Sequence, residues 1–216
     1  MGLTWKSKNY YSTQNILSMK KIFVLPAIIF MSVSGNAQKW AKEYEHVNEI
    51  ACGLSLVEKD GKHGYVDKDG KVIVPIMYDE GMNFVEGMAG VMVDHKWGYI
   101  DSTGKEIVKP QYSEVYSFNE GLAAVSQKDN WGFIDHNGNI AIPLQYTNAR
   151  CFSSGLAPVC NNKNQWGYIN KEGKVIIPFQ YGYADRFRDG TAKVMKSSKW
   201  VYIDPSGKVV KEGDDQ

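Results

Sequence analysis

A chain of 216 residues, 43% hydrophobic and 23% charged, has room for one substantial domain or two small ones, and its internal repetition favours one. Net charge is +1, but residues 1–37 hold four lysines and no acid, which leaves 21 basic against 24 acidic side chains over the rest. That balance argues against nucleic acid or an anionic membrane surface as partner, because both select basic patches through counterion release and Coulomb attraction.

Lys20 and Lys21 precede an apolar stretch, Ile22 to Val33, interrupted only by Pro26, and small residues then lead to Gly35-Asn36-Ala37. A charged start, a short apolar segment and small residues at the last and third-last positions describe a secretory signal peptide over 19–37, cleaved after Ala37. The stretch is too short to span about 30 Å of hydrocarbon, so no transmembrane segment is expected once the signal is removed. Met19 stands where such a signal starts, and residues 1–18 are expected to be an extended or non-native start without a fold. The expectation is an exported protein, periplasmic or secreted. Residues 38–52 follow as a linker in which Gln38 to Ile50 has the makings of a short helix.

From Gly53 onward the chain repeats itself. Trp97-Gly98-Tyr99-Ile100 returns at Trp131-Gly132-Phe133-Ile134 and Trp166-Gly167-Tyr168-Ile169, and in altered form at His63-Gly64-Tyr65-Val66 and Trp200-Val201-Tyr202-Ile203. The second position advances by 34, 34, 35 and 34 residues, a period typical of arrays with one supersecondary unit per repeat. Within a copy, Asp67, Asp101, Asp135, Asn170 or Asp204 leads to Gly70, Gly104, Gly138, Gly173 or Gly207, and a β-branched run follows. Pro75, Pro110, Pro143 and Pro178 are expected to end that run, since proline cannot donate to a ladder. Tyr78, Tyr112, Tyr146 and Tyr181 come next, then Phe84, Phe118, Phe152 and Phe187, then a glycine opening another apolar run.

At these residues the chain resembles the WG repeat family, bacterial β-repeat proteins with a Trp-Gly pair, over roughly residues 53–211. The resemblance implies an all-β repeat used as a scaffold or interaction surface. It implies no shared reaction and carries over no catalytic residue.

Each copy offers three strands. The first alternates Trp97, Tyr99 and Asp101 against Gly98 and Ile100, and the glycine leaves room for a neighbouring backbone. The Asp-x-x-Gly link predicts a short hairpin with glycine in the left-handed region. The run Leu122 to Val125 is apolar on both faces, so it must lie between layers, which stacking of units provides. The predicted fold is all-β: five tandem three-stranded antiparallel units over 53–211 in an open twisted array, with a closed five-bladed propeller-like ring as the alternative and 212–216 as a tail.

Histidines 46, 63, 95 and 136 lack metal-ligand spacing, and no phosphate loop, nucleophile elbow or Cys-His pairing occurs, so no metal site, cofactor or enzymatic activity is expected. The repeated aspartates are read as turn residues, since Asn170 substitutes without a carboxylate. Cys52, Cys151 and Cys160 are read as small apolar side chains, with Cys151 to Cys160 the local candidate for a disulfide. Trp97, Trp131, Trp166 and Trp200, with Gly98, Gly132 and Gly167, are assigned to the structural repeat. A binding surface is expected where the copies differ. Tyr116, Arg150, Tyr183, Arg186 and Arg188 are the candidates, because aromatic and Arg residues are enriched at interface anchors. The expected function is an exported binding or scaffold module for a protein or cell-envelope partner. The alternative is a carbohydrate-binding module that stacks glycans on a ladder of the repeated aromatics.

Overall fold

Every copy of the repeat folds into a four-stranded antiparallel sheet in a computed structural model that describes residues 39–213. The expected start extension and signal segment lie outside the described residues. The first sheet comprises β1 (His46–Val47), β2 (Leu54–Lys59), β3 (Lys62–Asp67) and β4 (Val72–Tyr78). The second comprises β5 (Glu80–Gly81), β6 (Met88–Val93), β7 (Lys96–Asp101) and β8 (Glu106–Tyr112). In the third are β9 (Glu114–Val115), β10 (Ala123–Gln127), β11 (Asn130–Ile134) and β12 (Ile140–Tyr146). The fourth holds β13 (Asn148–Ala149), β14 (Ala157–Cys160), β15 (Trp166–Ile169) and β16 (Val175–Tyr181), and the fifth β17 (Tyr183–Ala184), β18 (Ala192–Lys196), β19 (Lys199–Ile203) and β20 (Val209–Glu212). Strand order within each sheet is sequential.

Three sequence expectations are corrected. The units have four strands, not three, because two residues between each Tyr and Phe pair with the following apolar strand, as Glu114 and Val115 do with Ser126 and Val125. The first unit therefore starts at His46 inside the expected linker, where the only helix among the described residues is a 3-10 turn at Trp40–Glu43. Proline does not end the return strands. Pro110 lies within β8, an edge strand whose register against β7 slips between the Tyr99–Val108 and Trp97–Tyr112 pairs, so its missing N–H interrupts no ladder bond.

The Asp-x-x-Gly turns form as expected. Gly104 (φ 84°) donates its N–H to the Asp101 carbonyl at 2.9 Å, and Asp101 Oδ1 accepts the N–H groups of Thr103 and Lys105 at 2.9 and 3.0 Å. Asn170 Oδ1 accepts from Lys174 N–H at 2.8 Å, so an amide oxygen serves equally. Hydrogen bonds from the side chains of Thr103, Asn139 and Ser206, joined by backbone N–H groups, hold the Asp101, Asp135 and Asp204 carboxyls below their ordinary value of 3.8. A depressed folded-state pKa contributes stability that is present above the unfolded value and lost as pH falls through the folded one. The triple variant Asp101→Asn, Asp135→Asn, Asp204→Asn should accordingly fold at pH 7 and lose less stability than the parent between pH 4 and pH 2, measured by urea unfolding at each pH. Identical pH slopes would show that these turns contribute nothing to acid sensitivity.

The core lies in the seams between sheets. Four buried clusters each join one unit to the next. One contains Tyr65 and Val74 with Ala89 and Ile100, and another Tyr168 and Ile177 with Val194 and Ile203. Five units joined by four seams make an open array, since a ring requires a fifth cluster joining the last unit to the first and none occurs among the described residues. Polar contacts repeat the step: the Glu86 carboxylate accepts N–H groups of Glu120 and Gly121 at 2.7 and 3.0 Å, and Glu120 Oε2 accepts from Gly155 at 3.0 Å.

Both ends of the stack depart from the pattern. In the second to fifth units the turn glycine (Gly104, Gly138, Gly173, Gly207) rests against Val74, Val108, Ile142 or Ile177 of the unit before, whereas Gly70 rests against the Trp40 ring. Trp40 thus covers the face that a preceding unit would cover. In the last unit Lys211 occupies the position of those Val and Ile residues, its ammonium 5.4 Å from the Tyr202 ring, and β20 is exposed along its length. Ends finished differently from the interior units suit the terminal repeats of a stacked array, which have no neighbour on one side.

Candidate functional site

One loop recurs between the first and second strands of the second to fifth units, and its anchor is a buried phenylalanine. Tyr99 on β7 meets Phe118 of the next unit with ring centroids 5.1 Å apart, and its hydroxyl donates to the Tyr116 carbonyl at 2.7 Å. Tyr65 with Phe84 and Met82, and Tyr168 with Phe187 and Asp185, repeat both contacts. Burial pushes the Tyr65, Tyr99 and Tyr168 hydroxyls well above the ordinary tyrosine range, so they stay protonated donors. The positions two before, one before and one after each Phe are thereby held at fixed places on the surface.

In the last three units those positions converge on one cavity of about 360 Å³. Two before the Phe stand Tyr116, Arg150 and Asp185; one before, Ser117, Cys151 and Arg186; one after, Asn119 and Arg188. Four of the five residues singled out from sequence therefore gather here. Tyr183 does not line the cavity. It lies on β17, its ring 4.9 Å from the Arg150 guanidinium, which also sits 5.3 Å from the Trp166 ring. Arg150 Nε donates to the Ala184 carbonyl at 3.1 Å. That residue is thus part of the seam as well as the lining, and not the freely replaceable surface side chain that its variability implies. Ser117, Asn119, Cys151 and Asp185 escaped the sequence reading, although each shares an offset from the repeat Phe with a residue that was chosen.

The lining carries three guanidinium groups and one carboxylate. Asp185 Oδ1 accepts the Arg186 backbone N–H at 2.8 Å. Arg186 is half-buried and Arg188 exposed, and among the described residues neither guanidinium has a carboxylate within ion-pair distance. Burial pushes the Cys151 thiol up, outweighing the pull of Arg186 and Arg150 toward thiolate, which makes it a poor nucleophile. All three cysteines are free, and the local candidate pair is not bridged, because Asn148 on β13 pairs with Cys160 and Cys151 follows further along the chain, away from it. Cys52, read as a buried side chain, is exposed.

Trp97, Trp131 and Trp166 lie in the seams, whereas Trp200, in the last unit, packs against Tyr183 and Lys193 of its own sheet. Trp131 and Trp166 are 6% and 8% exposed, and Trp97 and Trp200 are half-buried. No group of three metal-binding side chains occurs among the described residues, nor is any described helix long and apolar enough to cross a membrane.

Four tandem matches to the family described as WG containing repeat cover residues 64–97, 97–131, 131–164 and 166–200. A comparison with curated proteins finds no significant match. Among solved structures the chain is similar to the computationally designed Ika8 protein (TM-score 0.53, 10% identity, 79% of this chain and 62% of that one). It is also similar to Hsv2 of Kluyveromyces lactis (TM-score 0.50, 14% identity, 76% and 61%), and more distantly to the WD40 beta propeller domain of Doa1 (TM-score 0.42, 12% identity, 79% and 69%). The chain thus spans about three fifths of the first two, and at such identities the likeness concerns fold alone.

Proposed function

The chain belongs to the WG containing repeat family, and from that premise we propose that it is an exported, non-catalytic binding module whose variable loops meet a protein or cell-envelope partner. The observation that carries this reading is a division of labour. The residues common to the copies, Trp-Gly, the buried Tyr and Phe and the turn Asp and Gly, pack seams and close turns, whereas the residues that differ beside Phe118, Phe152 and Phe187 gather around one cavity. Repeat arrays with a constant scaffold and variable surface positions present extended binding faces. Glycan stacking is less favoured, because Trp166 and Tyr183 already have the Arg150 guanidinium against them and Trp131 lies in the core. The purified chain, immobilised and offered both an envelope-protein extract and a glycan array, should retain a protein and leave the array unlabelled. The converse result would reverse the two readings.

Export accounts for Lys20, Lys21, the apolar run Ile22 to Val33 and the small residues that lead to Ala37. N-terminal sequencing of the protein recovered from the envelope or medium of the producing cell should begin at Gln38. Intact Met1 or Met19 forms in the cytoplasm would refute export.

A further inference from the structure

We propose that the cavity between the Phe loops of the last three units binds the carboxylates of an extended acidic segment of a protein partner, an assignment that rests on the binding-module reading. Three guanidinium groups and one carboxylate belong to the lining residues, and that carboxylate already accepts a backbone N–H. Arg150 is fixed through Nε and two ring faces, so its terminal nitrogens are held in place at little further entropic cost. Arg186 and Arg188 lack ion-pair partners among the described residues, and a guanidinium matches a carboxylate with two parallel hydrogen bonds.

Shape selects a peptide over a small ion. The cavity of about 360 Å³ is far larger than the roughly 30 Å³ that one water occupies in the liquid, so a lone anion leaves most of it unfilled. Its lining also advances one unit at a time. Stacked sheets lie about 10 Å apart and an extended chain rises about 3.3 Å per residue, so loops from three successive units span roughly the length of six residues. A nucleic acid is disfavoured by the same count, because such polyanions are held by many phosphate contacts and only three arginines line this cavity.

The test titrates the full chain with an end-capped hexapeptide carrying three glutamates among glycine and serine, its glutamine counterpart, and inorganic phosphate, by isothermal calorimetry at low and moderate salt. The glutamate peptide should bind at least tenfold more tightly than the glutamine peptide and weaken with salt. The double variant Arg186→Ser, Arg188→Ser should bind both peptides equally while keeping the parent's melting temperature. Asp185→Asn, which retains the oxygen that accepts the Arg186 N–H, should bind the glutamate peptide more tightly than the parent. Equal binding of the two peptides by the parent overturns the proposal, as does unchanged binding in the double variant or phosphate binding as tight as the peptide. An envelope protein retained equally by parent and double variant would sink this site and leave the module reading standing. Failure to retain any protein would remove both.

Discussion

Trp131→Ala is expected to lower the melting temperature on the order of 10 °C, from a loss of about 3–5 kcal/mol at roughly 2–4 °C per kcal/mol for a chain of this size. The indole sits opposite Tyr146 on the neighbouring strand, lies 5.5 Å from the Tyr116 ring and is 6% exposed. It belongs to the cluster joining the third and fourth units, with Phe152 and Ile169, so truncation opens a void in a seam rather than on a surface. In a stack where each unit touches only its neighbours, a weakened seam between the third and fourth units sets three units against two, and the two-unit part has too few to stand well alone. Thermal unfolding followed by circular dichroism measures this directly. A variant that melts with the parent but loses a ligand would make the tryptophans a binding surface and reverse their assignment.

Gly132→Ala should cost about 3 kcal/mol, at the upper end of ordinary overpacking, because the added methyl meets backbone. A Cβ at Gly132 would lie 2.5 Å from the Ile142 carbonyl oxygen and 2.8 Å from Leu144 N, atoms of the return strand where it bulges around Pro143. Side chains can rotate away from such a contact; a paired strand cannot. Gly64, Gly98 and Gly167 face the same kind of contact. The fifth unit supplies an internal control. Its return strand has no proline and keeps a more regular register, pairing Val201 with Glu212 and Tyr202 with Lys211, and there the chain carries Val201 in place of glycine. Urea unfolding should show Gly132→Ala strongly destabilised. Val201→Ala, by contrast, should lose only about 1–2 kcal/mol from two deleted methyl groups at roughly 0.8 kcal/mol each. Similar losses in the two variants would mean that the glycine is not there for backbone clearance.

The repeat length, the strands that carry Trp-Gly and Gly-Leu-Ala, the Asp-x-x-Gly turns and the burial of the apolar run were all legible in the linear chain. Each is a local demand: alternation sets faces, a turn needs a left-handed glycine, and a carboxylate or amide oxygen two residues before an N–H closes the loop. The outer strands such as Glu114–Val115 were not, since two residues are too few to show a period. Nor was the placing of Pro110, which depends on β8 being an edge. Trp40 and Lys211 finish the stack by contacts that only the packed units define. The cavity is the clearest case. Tyr116, Arg150 and Arg186 were visible as departures from the repeat, but stacking, which sets equivalent loops side by side, decided that they meet with Ser117, Cys151 and Asp185. The same packing drew Arg150 partly out of the site and into the seam, because the rings of Trp166 and Tyr183 and the Ala184 carbonyl hold its guanidinium.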